Sequence, residues 1–327
     1  MLLNSMGRPQ LNGCCALVTG GAGFIGSHLV DRLLDEGARS VVVIDNLFLG
    51  DLENLRGALA RGAVFYREDA ESMPSLEYIF AAHKVDIVFN CATKALNYSF
   101  INPRNAFDTN TCIALNLLEL QRKGIFKTLC HFSTSEVYGT ALYQPMDENH
   151  PKNPTTTYAA GKAAADMAVE SYVRMFGLDA FIVRPFNNYG PRQNYKGPLA
   201  GVIPLTIMKI LEGIAPEIHG DGTQSRDFIY VHDTVDAVIK LYSAQNAGES
   251  VNISAMSCVE IGTLIQSIVD ILHYDKEIIR KAARGSDVQC HNASNDKLRG
   301  LIDFKPTQYA AGLKSTIDWY TELYQTL

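Results

Sequence analysis

The first 186 residues alternate short apolar runs with longer segments in which apolar residues recur every three or four positions. Apolar runs of about four to eight residues are typical of buried strands, and the longer spacing is typical of amphipathic helices. The pattern predicts strands at 15–20, 40–45, 85–92, 127–134 and 179–186, and helices at 24–37, 105–124 and 155–177. This alternation indicates a parallel sheet that is covered by helices on both faces.

The character of the sequence changes after residue 186. The segment NNYGPRQNYKGPLAG is rich in glycine, proline and asparagine, which is typical of a functional loop, and shorter elements follow it. We predict an N-terminal tail at 1–13, a doubly wound α/β domain at 14–186 and a smaller α/β lobe, mainly for the substrate, at 187–327. Some segments of the smaller lobe are expected to return to the large domain, with a cleft between the two.

Charge and cysteine content restrict the possible partners. The net charge of −6, from 29 basic and 35 acidic residues, does not indicate nucleic-acid binding, although local arginines can still hold an anionic small molecule. The seven scattered cysteines form no C-x-x-C pair, which favours reduced thiols over a zinc site. A secretory signal and an apolar run of about 20 residues are both absent from the sequence. We therefore expect a cytoplasmic protein without a metal or a membrane partner.

The motif TGGAGFIG lies between the first predicted strand and the first predicted helix, with glycines at Gly20, Gly23 and Gly26. In a dinucleotide-binding turn the first glycine permits the tight turn and the second lets the backbone approach a pyrophosphate. The third lets helix and strand pack closely. The helix start, including Phe24 and Ile25, then faces the anion. The motif predicts a Rossmann-type domain.

Acidic residues at strand ends indicate which dinucleotide is bound. Asp45 ends the second predicted strand, nineteen residues after Gly26. A carboxylate there accepts hydrogen bonds from a ribose 2′-hydroxyl and repels a 2′-phosphate, so NAD is favoured over NADP; alternatively, Asp45 is a turn residue. Glu68 and Asp69 either contact the adenine side or form a solvated acidic turn. The remaining expected cofactor contacts are Asn46, Asp69 and Ala92.

Tyr158 and Lys162 are spaced so that both side chains lie on one face of the third predicted helix. An ammonium beside a phenol lowers the pKa of the phenol, which makes it a usable base near neutral pH. The alternative is a packed tyrosine beside a solvated lysine. Thr134 and Ser135, at the end of a strand, favour the catalytic interpretation because such a hydroxyl can share the proton of a substrate alcohol.

Over nearly its whole length the chain resembles the extended short-chain dehydrogenase/reductases that modify nucleotide sugars. The segments that carry the resemblance are TGGAGFIGSHLVDRLL, STSEVYG, YAAGKAAAD, RPFNNYGPRQ, HGDGTQSRDFIYVHD and GLKSTIDWY. The resemblance implies a permanently held NAD and a nucleoside-diphosphate sugar, with a UDP-sugar as the default, in the cleft between the lobes. It also implies a homodimer formed by two long helices of each subunit, which correspond here to 105–124 and 158–177.

The resemblance also implies roles for individual residues. Tyr158 would deprotonate the sugar 4-hydroxyl while hydride passes from C4 to NAD, Lys162 would bind the nicotinamide ribose, and Thr134 would hold the 4-hydroxyl. The implied substrate-binding residues are Lys94, Asn187, Arg192, Arg226 and Arg284. The chain departs from the family pattern after Arg284, where Gly-Ser replaces Pro-Gly. It departs again around Lys94, where Asn90, Lys94 and Tyr98 are either substrate determinants or strand-end and helix-cap residues.

Glu136 distinguishes the possible reactions. Members of the resembled family first make a 4-keto sugar, and many 4-epimerases have a small or neutral residue at this position. Dehydratases and decarboxylases carry a glutamate there. The resemblance favours a 4,6-dehydratase acting on a UDP-hexose or UDP-N-acetylhexosamine, in which Glu136 removes the C5 proton and Ser135 assists departure of the 6-hydroxyl. The alternatives for the whole protein are a UDP-sugar 4-epimerase, a UDP-glucuronate decarboxylase and a non-catalytic NAD-binding protein. The alternative for Glu136 is that it pairs with an arginine such as Arg184 and does no chemistry.

Overall fold

The structure is a computed structural model and describes residues 7–282 and 290–327. The strands in this part of the chain are β1 (Cys15–Thr19), β2 (Ser40–Ile44), β3 (Val64–Tyr66), β4 (Ile87–Asn90), β5 (Thr128–Phe132), β6 (Asp179–Pro185), β7 (Asn187–Tyr189), β8 (Glu217–His219), β9 (Ser225–Tyr230), β10 (Ser250–Ile253), β11 (Cys258–Glu260), β12 (Ile279–Lys281) and β13 (Cys290–His291).

The helices lie between these strands, and four short 3₁₀ turns accompany them in the described residues. The α-helices are α1 (Phe24–Asp35), α2 (Arg56–Ala60), α3 (Met73–Ala82), α4 (Pro103–Arg122), α5 (Thr157–Phe176), α6 (Val202–Leu211), α7 (Val231–Ala244), α8 (Ile261–Ile271), α9 (Asp296–Leu301) and α10 (Tyr309–Thr326). The 3₁₀ turns are Leu52–Leu55, Leu96–Phe100, Ser135–Tyr138 and Gly197–Leu199. None of the described helices combines the length and the apolar character needed to cross a membrane.

Seven of the described strands form one parallel sheet, in the order β10-β6-β5-β4-β1-β2-β3. Every residue of β1, β4 and β5 is buried, and separate apolar clusters cover the two faces of the sheet. The strands predicted from apolar runs are therefore confirmed as a doubly wound sheet. The strand order reverses at β1, which pairs with β2 on one side and β4 on the other, and this leaves a crevice at the carboxyl ends of the strands.

Local capping explains where the two long helices begin and end. The side chain of Asn102 accepts a hydrogen bond from the amide of Asn105 at 3.1 Å, and that of Thr156 accepts one from Ala159 at 3.2 Å. Both side chains satisfy an amide that has no partner within the helix. Helix α5 ends at Gly177, whose φ of 65° lies in the left-handed region.

Two strands of the large sheet, β3 and β10, were not identified from apolar runs. The strand β3 and the helix α3 follow β2, and the short apolar run of β3 carries too little periodicity to be recognised. The strand β10 lies beyond residue 187 and pairs with β6, with Ser250 opposite Ile182. The segment after residue 187 therefore contributes to the large sheet as well as to the smaller lobe.

The smaller lobe has its own apolar cluster, built largely from α6, α8 and α10. Its strand β9 pairs with β11, β13 and β7, and a separate two-stranded sheet joins β8 to β12. Because β7 follows directly after β6, one continuous stretch of chain leaves the large sheet and enters the smaller one. The loop after β7 therefore lies between the two lobes.

Gln121 ties α4 to the amino ends of β5 and β6. Its side-chain amide donates to the carbonyls of Lys127 and Asp179, both at 2.8 Å. We expect Gln121→Ala to lower the free energy of unfolding by about 1–3 kcal/mol, because the carbonyls of Lys127 and Asp179 both lose their donor and the side chain of Gln121 is itself buried. Urea denaturation measures this change. Gln266→Ala is the matched control, since this exposed side chain only bonds Asp270 within α8 and should change stability by less than about 0.5 kcal/mol. A Gln121→Ala variant with the free energy of unfolding of the wild type would contradict this role of Gln121.

Candidate active site

The turn between β1 and α1 requires glycine at two positions. Gly20 has φ of 66°, and a Cβ atom added there would lie 2.8 Å from the backbone of Ala92 on the neighbouring strand end. A Cβ atom on Gly26 would overlap the carbonyl oxygen of Gly20. The turn therefore packs directly against the chain after β4 and places the first amides of α1 in the crevice. Amides at a helix start are well suited to hold a pyrophosphate.

A cavity of about 460 Å³ lies at this reversal of strand order. The structure brings together there all the expected cofactor contacts that come from the sheet edge. These residues are Gly20, Gly23, Phe24, Ile25, Gly26, Asp45, Asn46, Asp69 and Ala92. The loop after β7 contributes the opposite wall of the cavity through Gln193, Asn194, Leu199, Ala200 and Gly201.

Asp45 is held in the cavity wall as a fixed hydrogen-bond acceptor. Its carboxylate accepts hydrogen bonds from the amide of Ala22 at 3.0 Å and the amide of Leu47 at 2.8 Å. Burial raises the pKa of this carboxyl group, while the backbone hydrogen bonds lower it. Asp45 thus shapes the turn after β2, and it also presents a carboxylate to the cavity. Next to it, the side-chain amide of Asn46 donates to the carboxylate of Asp69 at 2.9 Å, which fixes both side chains at this edge of the cavity.

Tyr158 lies among two hydroxyls and a carboxylate. The pKa of its phenol is raised to about 12, mainly by burial, and the charge of Glu136 acts in the same direction. Hydrogen bonds with the hydroxyls of Thr134 and Thr93 act in the opposite direction and lower this pKa. The structure therefore places Thr134, Glu136 and Tyr158 in one site, in which hydrogen bonding favours the phenolate and burial opposes it.

Lys162 is buried at the end of β5. Its ammonium donates to the carbonyl of Phe132 at 2.8 Å. The pKa of Lys162 is lowered to about 8, because burial outweighs the charge of Asp166, which raises it. The expected lowering of the tyrosine pKa by Lys162 stays a prediction.

The stretch STSEVYG forms a 3₁₀ turn, Ser135–Tyr138, directly after β5. The hydroxyl of Thr134 accepts a hydrogen bond from the amide of Glu136 at 3.2 Å and so caps this turn. Ser135 is buried, and Glu136 is half-buried. The guanidinium of Arg184 is held by Asp166 at 2.9 Å. The alternative in which Glu136 only pairs with an arginine stays a prediction.

The expected substrate-binding residues fall in different places. Asn187 and Arg226 are half-buried at the junction with the smaller lobe, where Asn187 donates to the carbonyl of Asp227 at 3.4 Å. Arg192 lies outside the cavity: it has φ of 66°, and its side chain forms an ion pair with Asp31 on α1 at 2.7 Å. Arg284 lies outside the described residues.

Lys94 is a buried cation in the cavity wall and is 8% exposed. Its backbone amide donates to the side chain of Asn110 at 2.9 Å. The ammonium lies 3.9 Å from the ring centroid of Phe48 and 5.6 Å from that of Tyr98. In the part of the chain that the structure describes it forms no ion pair. Since a buried charge normally has a partner, this position is suited to an anionic group of a ligand.

Comparison with known proteins identifies the family. The model of the NAD dependent epimerase/dehydratase family matches residues 16–254. The chain belongs to the NAD-dependent epimerase/dehydratase family. The expected resemblance is thereby confirmed, and the cofactor of this enzyme family member is NAD. The glycine turn and the Asp45 carboxylate fit NAD, because they leave room for a pyrophosphate and offer an acceptor to a ribose.

Relatives within this family differ in the reaction that their names give. A protein named putative UDP-glucose 4-epimerase from Methanocaldococcus jannaschii is 34% identical over 305 residues, which cover 93% of this chain and 97% of the relative. UDP-glucuronic acid decarboxylase 3 of Arabidopsis thaliana is 31% identical over 298 residues, which cover 89% of this chain and 84% of the relative. The crystal structure of a dTDP-glucose 4,6-dehydratase from Streptomyces venezuelae with NAD bound has a TM-score of 0.89 and 29% identity, over 95% of this chain and 98% of that one.

Several residues of this epimerase/dehydratase site were not recognised from the sequence. Thr93, which bonds Tyr158, and Phe48, which contacts Lys94, have no motif of their own. Gln193 and Asn194 belong to the quoted loop NNYGPRQNYKGPLAG, where the resemblance implied Arg192 as the ligand contact. The composition of that loop was the available signal, but only the fold shows which side chains face the cavity.

Two substitutions should shift the pKa of Tyr158 in opposite directions. Thr134→Ala removes a hydrogen bond that lowers this pKa, so the pKa should rise. Glu136→Gln removes a negative charge that raises it, so the pKa should fall. Tyrosinate absorbance during an alkaline titration measures both changes, with each protein compared with its own Tyr158→Phe derivative. If both variants shifted the pKa of Tyr158 in the same direction, the arrangement of Thr134 and Glu136 around Tyr158 would be contradicted.

Proposed function

We propose that this protein converts a nucleoside-diphosphate sugar through a transient 4-keto intermediate, and that the reaction is 4,6-dehydration of a UDP-hexose or UDP-N-acetylhexosamine. The observation that carries this proposal is the position of Glu136, whose charge acts directly on the phenol of Tyr158. The Glu136 carboxylate next to Tyr158 would be a second base, and a second base is useful only if another proton must move. Dehydration requires this, because the C5 proton leaves together with the 6-hydroxyl.

The residues of the site have distinct tasks in this mechanism. Tyr158 accepts the proton of the sugar 4-hydroxyl, and Thr134 shares that proton through its hydrogen bond to the phenol. A bound NAD would accept hydride from C4 and would return it to C6 once water has left, while a proton returns to C5. The resulting ketone makes the C5 proton acidic, Glu136 removes that proton, and the buried hydroxyl of Ser135 assists the departure of the 6-hydroxyl.

The groups that hold the two ligands belong to different parts of the site. Asp45 and the first amides of α1 hold the cofactor ribose and pyrophosphate. Lys162 contacts the nicotinamide ribose next to the end of β5. Asn187, Arg226 and Arg284 contact the sugar nucleotide in this proposal, and a UDP-sugar is its default occupant. The neighbour from Streptomyces venezuelae, a dTDP-glucose 4,6-dehydratase, supports a nucleotide-sugar ligand of this class.

A UDP-sugar 4-epimerase is the second candidate. The relative from Methanocaldococcus jannaschii bears that name at 34% identity over nearly the whole chain, which favours it. Epimerisation needs only the rotation of the keto sugar and the return of hydride to its other face. A UDP-glucuronate decarboxylase is the third candidate. It needs a cationic group for the sugar carboxylate, and Lys94 in the cavity wall is suited to that task.

Product masses separate these three reactions. The purified protein is incubated, without added cofactor, with UDP-N-acetylglucosamine, UDP-glucose and UDP-glucuronate in separate reactions. Loss of water from one of the first two is the expected outcome. Loss of carbon dioxide from the third would identify a decarboxylase, and a new stereoisomer of unchanged mass would identify an epimerase. Either of these results would overturn the dehydratase proposal.

Glu136→Gln should separate oxidation from dehydration. We expect dehydration to fall by at least about 100-fold because the amide cannot accept the C5 proton, while oxidation at C4 continues. NADH absorbance should then accumulate on the protein after sugar is added. Glu212→Gln is the control, since Glu212 is exposed on the smaller lobe and its variant should turn over normally. Full turnover by Glu136→Gln would exclude Glu136 as the C5 base.

We also propose that the protein is a homodimer through α4 and α5. These helices pack against each other and expose apolar side chains at their outer surface, including Phe107, Leu115 and Met167. Met167→Glu would place a charge within this surface and should shift the sedimentation coefficient from that of a dimer to that of a monomer. Ile214→Glu, at an exposed position after α6, should leave the dimer intact. A monomeric wild-type protein would contradict the proposal.

A further inference from the structure

A row of buried polar side chains crosses the central sheet beneath the candidate active site. Each member lies at or near the carboxyl end of a different strand, and none is more than 1% exposed. The members are Thr19, Asn90, His131, Arg184 and Asn252. Buried polar groups are costly unless they are paired, so such a row requires an explanation.

The first half of the row supports the cofactor side of the site. The hydroxyl of Thr19 accepts a hydrogen bond from the amide of Ala92 at 3.2 Å and donates to Asn90 at 2.7 Å. The side-chain amide of Asn90 lies 3.0 Å from Nδ1 of His131. Burial lowers the pKa of His131, as do the charges of Lys162 and Arg184, so its imidazole is neutral.

Arg184 is the centre of the second half. Its Nε and Nη2 atoms donate to one carboxylate oxygen of Asp166 at 3.0 and 2.9 Å, and its Nη1 atom donates to the hydroxyl of Tyr138 at 2.9 Å. The hydroxyl of Tyr138 in turn donates to the side chain of Asn252 at 2.7 Å. One buried guanidinium therefore bonds two elements that are distant in sequence.

Those two elements carry the catalytic groups. Asp166 lies one helical turn after Lys162 on α5, the helix that begins next to Tyr158. Tyr138 is the last residue of the 3₁₀ turn that Thr134 caps and that contains Glu136. The hydrogen bonds from Asp166 through Arg184 to Tyr138 thus join α5, which carries Tyr158, to the turn that carries Glu136.

Stability alone does not account for the buried ion pair between Arg184 and Asp166. Removing an arginine and an aspartate from water costs free energy that their attraction only partly offsets, and well-packed apolar residues are often as stable. A planar guanidinium in three hydrogen bonds does, however, fix the relative position of its partners more sharply than apolar packing does.

We propose that Arg184 is a positioning residue that acts through Tyr138. By holding Asp166 and Tyr138 together, it sets the distance between α5 and the Ser135–Tyr138 turn, and so the placement of Thr134 and Glu136 relative to Tyr158. The kinetic part of this inference rests on the proposed function.

Tyr138→Phe tests the inference by removing one hydroxyl. The ring of Tyr138 packs on His150 and remains in the variant. We expect kcat to fall about tenfold because the turn is less well placed, with KM and the amount of bound NAD unchanged within about twofold. Tyr143→Phe is the matched control: its ring also packs on His150, and its hydroxyl bonds only Asp147 at 2.6 Å in the same loop. It should keep kcat within about twofold. A Tyr138→Phe variant with the kcat of the wild type would overturn the inference.

A double-mutant cycle shows whether Arg184 acts through Tyr138. Arg184→Lys keeps the charge but loses the planar fork. If the two residues form one link, the combined variant should lose less kcat than the product of the two single losses. Independent losses would overturn the inference. A loss of kcat that parallels a loss of bound NAD or a fall in the unfolding temperature would also overturn the inference, because that pattern indicates a purely structural role.

One measurement does not depend on any substrate. Tyr138→Phe should change the pKa of Tyr158, since Thr134 and Glu136 both act on that phenol from the turn. Tyrosinate titration measures this change, again with a Tyr158→Phe derivative as reference, and Tyr143→Phe should leave it unaltered. If the wild-type protein converts none of the sugars, the proposed function fails, and an unchanged pKa in Tyr138→Phe separately overturns the positioning role.

Discussion

The contact between Gly20 and Ala92 is the constraint on which the site depends. Strand order reverses at β1, and the two backbone segments at that point approach so closely that a single added Cβ atom would lie 2.8 Å from its neighbour. This approach opens the crevice in which the first amides of α1 face the cavity. It also places the chain after β4, with Thr93 and Lys94, next to the helix that carries Tyr158 and Lys162.

Burial and hydrogen bonding oppose each other within the site. Burial raises the pKa of the Tyr158 phenol and lowers that of the Lys162 ammonium, so both groups are driven toward their neutral forms. The hydroxyls of Thr134 and Thr93 counteract this for the phenol. The pKa of Tyr158 therefore depends on groups from two other segments, the turn after β5 and the chain after β4.

Two charged groups account for the range of reactions that remains open within the family. Glu136 provides a carboxylate beside the phenol, and Lys94 provides an ammonium in the cavity wall between two aromatic rings. The Glu136 carboxylate is suited to removing a second proton from the sugar. The Lys94 ammonium is suited to binding an anionic group on the ligand. Relatives of similar identity are named as epimerases, dehydratases and decarboxylases, so the overall fold does not by itself decide the reaction.

Much of the fold and of the cofactor site could be predicted from the sequence, because both depend on local patterns. Apolar runs identified β1, β2, β4, β5 and β6, and the glycine spacing with Asp45 identified residues of one wall of the cavity. Only the tertiary structure decided the rest. Arg192 lies against Asp31 rather than in the cavity, Lys162 bonds the carbonyl of Phe132, and Arg184 bonds Asp166 and Tyr138. A local pattern specifies what a residue can do, but the partner of a charged side chain depends on which distant strand end or helix the fold brings within hydrogen-bond distance.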